Sequence, residues 1–176
     1  RDYLDPKEYK IRKGFITHKI TRDKAIELLE LISRVTHFKR DKFIPLGSFR
    51  RNAERVGDLD IMVHEDIYQV FIERLTKEFE VVSSGDYKSQ FIIDPVNNVP
   101  LDVIHYNDQD KVFQMLYLTG SKEFNIKMRR VAGMLGYRLN QYNITDDLGN
   151  IMMTNVKEEE EVFKFLEMEY VEPENR

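Results

Sequence analysis

Two stretches of this chain set acidic residues inside otherwise apolar runs, and that combination narrows the possible folds more than any other feature. Leu59, Ile61 and Val63 alternate with Asp58, Asp60 and Met62 in the period-two pattern of a half-buried strand. Residues two apart on a strand point to one face, about 6.6 Å apart along the backbone, so Asp58 and Asp60 are expected side by side. Further on, Asp102 interrupts the apolar run Leu101, Val103 and Ile104. A carboxylate buried there needs a cation or hydrogen-bond donors, whereas one on an edge strand would face water. Paired carboxylates can bridge two Mg²⁺ ions about 3.5–4 Å apart, although an Asp-x-Asp alone is more often a solvated or capping arrangement.

The surrounding periodicity supplies the scaffold. Ile26, Leu28, Leu29, Ile32 and Val35 recur at helical spacing, with Thr21 placed as cap, and predict a helix from Thr21 to about Phe38. A short strand over Lys42–Leu46, a turn, a short helix and the Asp58–Val63 strand come next. A helix with Ile67, Val70, Phe71, Leu75 and Phe79 on one side leads to strands over Glu80–Ser83, Ser89–Asp94 and Val99–His105. Asp94-Pro95-Val96-Asn97-Asn98 reads as a hairpin connection, with Asp94 initiating the turn rather than joining the other acids. Helices over Lys111–Leu118 and Ser121–Leu135, short strands between Arg138 and Met153, and a helix from Glu158 to about Met168 complete the chain. The class is α+β: a mixed sheet from residues 42–105 with helices on one face, then a small α/β subdomain. The expected division is 1–105 and 106–176.

Charge is segregated. Residues 1–60 carry 15 Lys and Arg against 10 Asp and Glu, and residues 111–145 carry 6 against 1, whereas 61–110 and 146–176 each carry 3 against 10. Two basic blocks around an acidic middle suit phosphate binding despite the net charge of −4. The absence of cysteine excludes disulfides, thiol nucleophiles and zinc ribbons. With no secretory-type leader and no apolar run of about 18 residues, the expectation is a monomer of the nucleus or cytoplasm, without membrane contact. A start at Arg1 suggests a fragment of something longer.

Gly47-Ser48 follows a strand and precedes a short helix, so backbone N–H groups and the Ser48 hydroxyl could receive a triphosphate. The string Gly47-Ser48-Phe49-Arg50-Arg51, then Gly57-Asp58-Leu59-Asp60, resembles the signature of the family X DNA polymerases, the group that includes DNA polymerase beta. Leu101-Asp102-Val103, Tyr117-Leu118-Thr119-Gly120-Ser121, Phe124-Asn125, Met128-Arg129-Arg130, Asn140-Gln141-Tyr142 and Tyr170-Val171-Glu172-Pro173 extend it in order, over roughly residues 15–176.

This resemblance implies a nucleotidyltransferase palm followed by a nucleotide-selection subdomain. In it Asp58 and Asp60 ligate two Mg²⁺ ions, which Mn²⁺ can replace, and Asp102 ligates the catalytic one and helps accept the 3′-hydroxyl proton. Ser48, Arg51 and Arg22 would hold the triphosphate of a dNTP, Tyr117 would sit beside its sugar and Asn125 would touch its base, with Gly47, Gly57 and Gly120 also nucleotide-binding. Arg129, Lys127, Arg130 and Tyr142 would meet primer-template or gapped DNA. Packing is the plain alternative for Phe124 and Tyr117, and a solvated helix face for the three cations.

Three positions depart from the family pattern. Asn52 stands where many members have glycine, Leu118 where phenylalanine is frequent, and Pro100 where several place an arginine that hydrogen-bonds the third aspartate. Control of Asp102 must then come from elsewhere. Upstream lyase and helix-hairpin-helix modules are expected either in a longer parent or to be dispensed with in a compact member. The activity implied is template-directed, short-gap-filling DNA synthesis. Terminal or other template-independent nucleotidyl transfer is the enzymatic rival, and a non-catalytic DNA-binding scaffold the other.

Overall fold

A computed structural model describes residues 18–176. The first 17 residues of the expected 1–105 unit, with five cations of the first basic block and the start of the resemblance, lie outside the described residues. Strand β1 (Ile20–Thr21) enters helix α1 (Arg22–Thr36), where the Thr21 hydroxyl accepts from the Lys24 amide at 3.2 Å. Such a cap contributes about 1 kcal/mol. After β2 (Phe43–Pro45) come the single turn α2 (Gly47–Arg50), β3 (Arg55–Val56), β4 (Leu59–His64) and helix α3 (Glu65–Glu78). Strands β5 (Glu80–Ser83), β6 (Lys88–Asp94) and β7 (Val99–Tyr106) then precede helices α4 (Lys111–Thr119) and α5 (Lys122–Met134). A ribbon of β8 (Arg138–Leu139) and β9 (Ile144–Thr145) and helix α6 (Glu159–Phe165) follow.

Five strands form one mixed sheet in the order β2-β4-β7-β6-β5, with β4 and β7 parallel and the other pairs antiparallel. Period-two alternation divides its faces. Leu59, Ile61 and Val63, with Leu101 and Val103, enter a core closed by Leu29 and Ile32 of α1 and Phe71 and Leu75 of α3. On β6, Phe91 and Ile93 turn to that same core. The residues between them therefore face the other way, and these include Asp60, Asp102, Gln90 and Lys88.

Beyond the carboxylates, that second face is closed by a small cluster of Leu46, Met62, Ile104 and Tyr106, against which Met115 and Leu118 of α4 pack. The same helix turns Val112, Phe113 and Leu116 toward another core, shared with Phe124, Met128, Ala132, Ile144, Val162 and Phe163. Helix α4 thus lies between two cores, and every residue of the second follows residue 110. Among the described residues no helix is long and apolar enough to cross a membrane.

Several local expectations differ in detail. Asp58 precedes β4 instead of lying in it, because the β4–β7 ladder begins at Leu59 opposite Leu101. The last helix ends at Phe165 and not near Met168, since Glu167 takes a left-handed backbone (φ 57°) that no helix continues through. The β1–β3 ladder was not foreseen, as two-residue strands carry too little alternation to register. Asn52, where many family members have glycine, adopts the left-handed conformation (φ 63°), which asparagine enters more easily than most residues. Asp94 caps its own hairpin, accepting from the amides of Val96 and Asn97.

Candidate active site

Parallel register sets Asp60 directly opposite Asp102 on neighbouring strands. Asp58, just ahead of β4, is close enough to act on Asp60 electrostatically. Burial first, then the charges of Asp58 and Asp102 and a hydrogen bond with Asp102, raise the Asp60 carboxyl well above the usual range, with Lys88 opposing. A carboxyl raised by burial and by two neighbouring acids has most to gain from a divalent cation, so this donor set fits one chemically. Among the described residues, however, no three His, Cys, Asp or Glu side chains are already drawn into a ligand set.

The approach to Asp60 demands a glycine. Gly47 has φ +62°, and a Cβ there would lie 2.6 Å from Asp60 Oδ2. The next amide N-terminal to it, that of Leu46, donates to the Asp60 carbonyl at 2.8 Å, tying the start of α2 to β4. Gly57 makes no such demand, since a Cβ would meet only Lys19, at 3.7 Å.

An open cleft of about 510 Å³ spreads from these acids to α4 and α5. Gly47, Ser48, Arg51, Asp58 and Asp60 line one wall, and Tyr117, Gly120, Asn125 and Arg129 the other. Lys122, Asn125, Ile126 and Arg129 share one side of α5 by helical spacing, with Phe124 and Met128 buried on another. Lys122 and Ile126 were not among the sequence candidates, although a helix drawn from Ser121 would have set them beside Asn125 and Arg129. Leu118 also lines the cleft.

Several cleft side chains are already held. Arg51 Nη1 donates to the Thr119 carbonyl at 2.6 Å, which ties the start of the cleft to the end of α4. Asn125 Nδ2 donates to the Tyr117 carbonyl at 2.8 Å, and the Arg129 guanidinium lies 5.3 Å from the Tyr117 ring centroid. Gly120, with φ +68°, turns the chain between α4 and α5, and Ser121 caps α5 by accepting from the Phe124 amide.

The remaining candidates lie apart from the cleft lining. Asp102 is only 6% exposed and accepts from Gln90 Nε2 at 2.7 Å. Arg22 donates to the Phe49 carbonyl at 2.7 Å and covers the Phe49 ring, bracing α2. Lys127 and Arg130 are exposed on α5, and Tyr142 lines a separate cavity with Phe113 and Ile151.

Sequence reasoning missed a second charged assembly. Arg50 donates to Thr119 Oγ1 at 2.7 Å and, through both terminal nitrogens, to Glu159 at 2.9 and 2.7 Å. Arg176 grips the same carboxylate at 3.1 and 3.0 Å. Burial alone would raise the Glu159 carboxyl, but the bonds from Arg50 and Arg176 outweigh it and hold it below the ordinary range. Glu159 sits in a run of four glutamates, and nothing in the sequence separates it from its neighbours.

Comparison with known proteins gives one consistent result. Residues 114–176 match the family model described as the DNA polymerase beta thumb. The chain is 33% identical over 132 residues to the DNA polymerase/3′-5′ exonuclease PolX of Bacillus subtilis, covering 72% of this chain and 23% of that protein. It is 26% identical over 163 residues to DNA polymerase lambda of Rattus norvegicus, covering 76% and 28%. With the repair DNA polymerase X of African swine fever virus it shares 23% identity over 157 residues, covering 85% and 86%. The chain therefore spans about a quarter of the length of the first two and most of the third.

Proposed function

We propose that this chain, which belongs to family X of the DNA polymerases, adds dNMP units from dNTPs to a primer 3′-hydroxyl under the direction of a template, filling short gaps during DNA repair. Residues 1–105 act as the palm and residues 106–176 as the nucleotide-selection unit. The observation that carries this reading is the pairing of Asp60 with Asp102 on adjacent strands, next to a cleft whose far wall is Tyr117, Asn125 and Arg129. A scaffold module would have no use for mutually repelling acids in and beside such a cleft.

Phosphoryl transfer needs alignment and charge neutralisation more than a protein nucleophile. Asp58, Asp60 and Asp102 would hold two Mg²⁺ ions, or Mn²⁺ in their place, which supply that neutralisation and lower the affinity of the 3′-hydroxyl for its proton. Ser48 and Arg51 bind the triphosphate, the latter through guanidinium N–H groups beyond the one on Thr119. Tyr117 flanks the sugar, Asn125 the incoming base and Arg129 the templating nucleotide. Asp102 takes the proton as the 3′-oxygen bonds to the α-phosphorus and the bond to the bridging oxygen breaks, releasing pyrophosphate. Lys127, Arg130 and Tyr142 follow the DNA outside the cleft, by charge and stacking.

The connection after Asp94 is only four residues long, where template-independent relatives of the resembled family typically insert a longer loop, and this supports template-directed synthesis over terminal transfer. Extension of a primer in one-nucleotide-gapped DNA tests the choice. The expected result is incorporation of the complementary dNTP, at least about a thousandfold weaker in Asp102→Asn with DNA affinity retained. Extension indifferent to the template strand would establish terminal transfer instead.

A further inference from the structure

Asp102 is held from the side opposite Asp60. In the antiparallel β6–β7 ladder Gln90 is the register partner of Asp102, so the two side chains leave the same face at the same level. Gln90 is fully buried and its Nε2 donates to Asp102 Oδ1 at 2.7 Å. Two residues along the strand, Lys88 Nζ lies 4.0 Å from Oδ2 and is far more exposed. Pro100, two residues before Asp102 on the same face, has no donor to offer.

We propose that Gln90 is a positioning residue for Asp102, its buried amide fixing the rotamer in which the carboxylate meets a divalent cation. The inference rests on the reading of Asp102 as a ligand. An amide suits the task because it donates one hydrogen bond without cancelling the charge. A bonded guanidinium at that distance would compete with the cation for the same carboxylate. The low exposure of both groups shields the Gln90–Asp102 bond from water and makes it directional. Groups that orient a ligand in this way contribute about 10–100-fold in metal affinity or activity.

Gln90→Leu removes the donor at similar volume, and Gln90→Met does so with a more adaptable side chain should the leucine variant fold poorly. Three quantities are measured on the full chain: kcat and KM for dNTP on gapped DNA, Mn²⁺ affinity from the electron paramagnetic resonance signal of the free ion, and Tm. The expected result is a 10–100-fold fall in kcat, a KM within about threefold, and Mn²⁺ binding weakened by a similar 10–100-fold. A lowered Tm with kcat and Mn²⁺ affinity unchanged would overturn the proposal, leaving Gln90 a packing residue. Asp102→Asn, measured in parallel, separates the two ideas. If it removes both incorporation and tight Mn²⁺ binding while Gln90→Leu moves neither, this inference alone fails. If it leaves both intact, the assignment of the site fails with it.

Discussion

The two sides of the cleft hold their functional groups by different physics. On the sheet side, Asp60 and Asp102 are set by strand register, and Asp60 lies against a glycine that leaves no room for a Cβ. On the helix side, Tyr117, Asn125 and Arg129 stand on α4 and α5, partly or largely exposed, and are held by one backbone hydrogen bond and one cation–π contact. The buried, register-fixed side is the one where the proposed chemistry would need charge aligned, and the more exposed side the one where the proposed function would have different bases accepted. The sheet side also carries a cost, because its acids oppose one another. The lobes meet elsewhere, through Arg50, Glu159 and Arg176, which couple the two walls without entering the cleft.

The contrast can be broken most sharply at Asp60. Asp60→Asn should lower incorporation more than a thousandfold while leaving the Tm of the metal-free protein unchanged or raised, because repulsion is relieved. Activity within tenfold of the parent would remove the sheet face from the chemistry. Next in size, Glu159→Gln should destabilise the fold by about 3 kcal/mol, since two arginines lose their shared carboxylate. The pH dependence has a definite sign. The folded-state carboxyl of Glu159 binds its proton less tightly than in the unfolded chain, so its contribution is complete above about pH 4.5 and is lost as pH falls through its lowered value. The Tm difference between parent and Glu159→Gln should therefore narrow on acidification, and a constant difference would exclude the ion pair as its source.

Gly47→Ala should cost about 2 kcal/mol by denaturant titration, from left-handed backbone strain. It should also reduce kcat about 10–100-fold by displacing Asp60. Full activity there would mean that the sheet side tolerates movement after all. The smallest effect is expected at Lys127, on the exposed side of α5. Lys127→Ala should reduce the slope of log affinity for DNA against log salt by about one, with little change in nucleotide KM. An unchanged slope would take Lys127 off the DNA path.

Much of this arrangement was legible along the chain. The alternation through Leu59–Val63 and Leu101–Ile104 announced strands with one apolar face, and Thr21, Ser121 and Asp94 perform the capping and turn roles their chemistry suggests. The Arg22 contact was not legible, since nothing about a cation at a helix start announces a bond to a carbonyl as far along the chain as that of Phe49. Gln90 gave no signal either. A lone amide in an apolar strand reads as an exposed position until its neighbour across the ladder is known.

Local order thus came from the sequence itself: the strand and helix periods, the caps, the hairpin at Asp94 and the acidic identity of three positions all depend on residues a few places apart. Tertiary structure alone decided that β4 and β7 lie adjacent and parallel, that Asp60 stands level with Asp102, and that Gln90 and Glu159 find their partners. The reason is that a period records only which face a side chain takes, whereas register and long-range ion pairs are settled by burial and closure between distant segments.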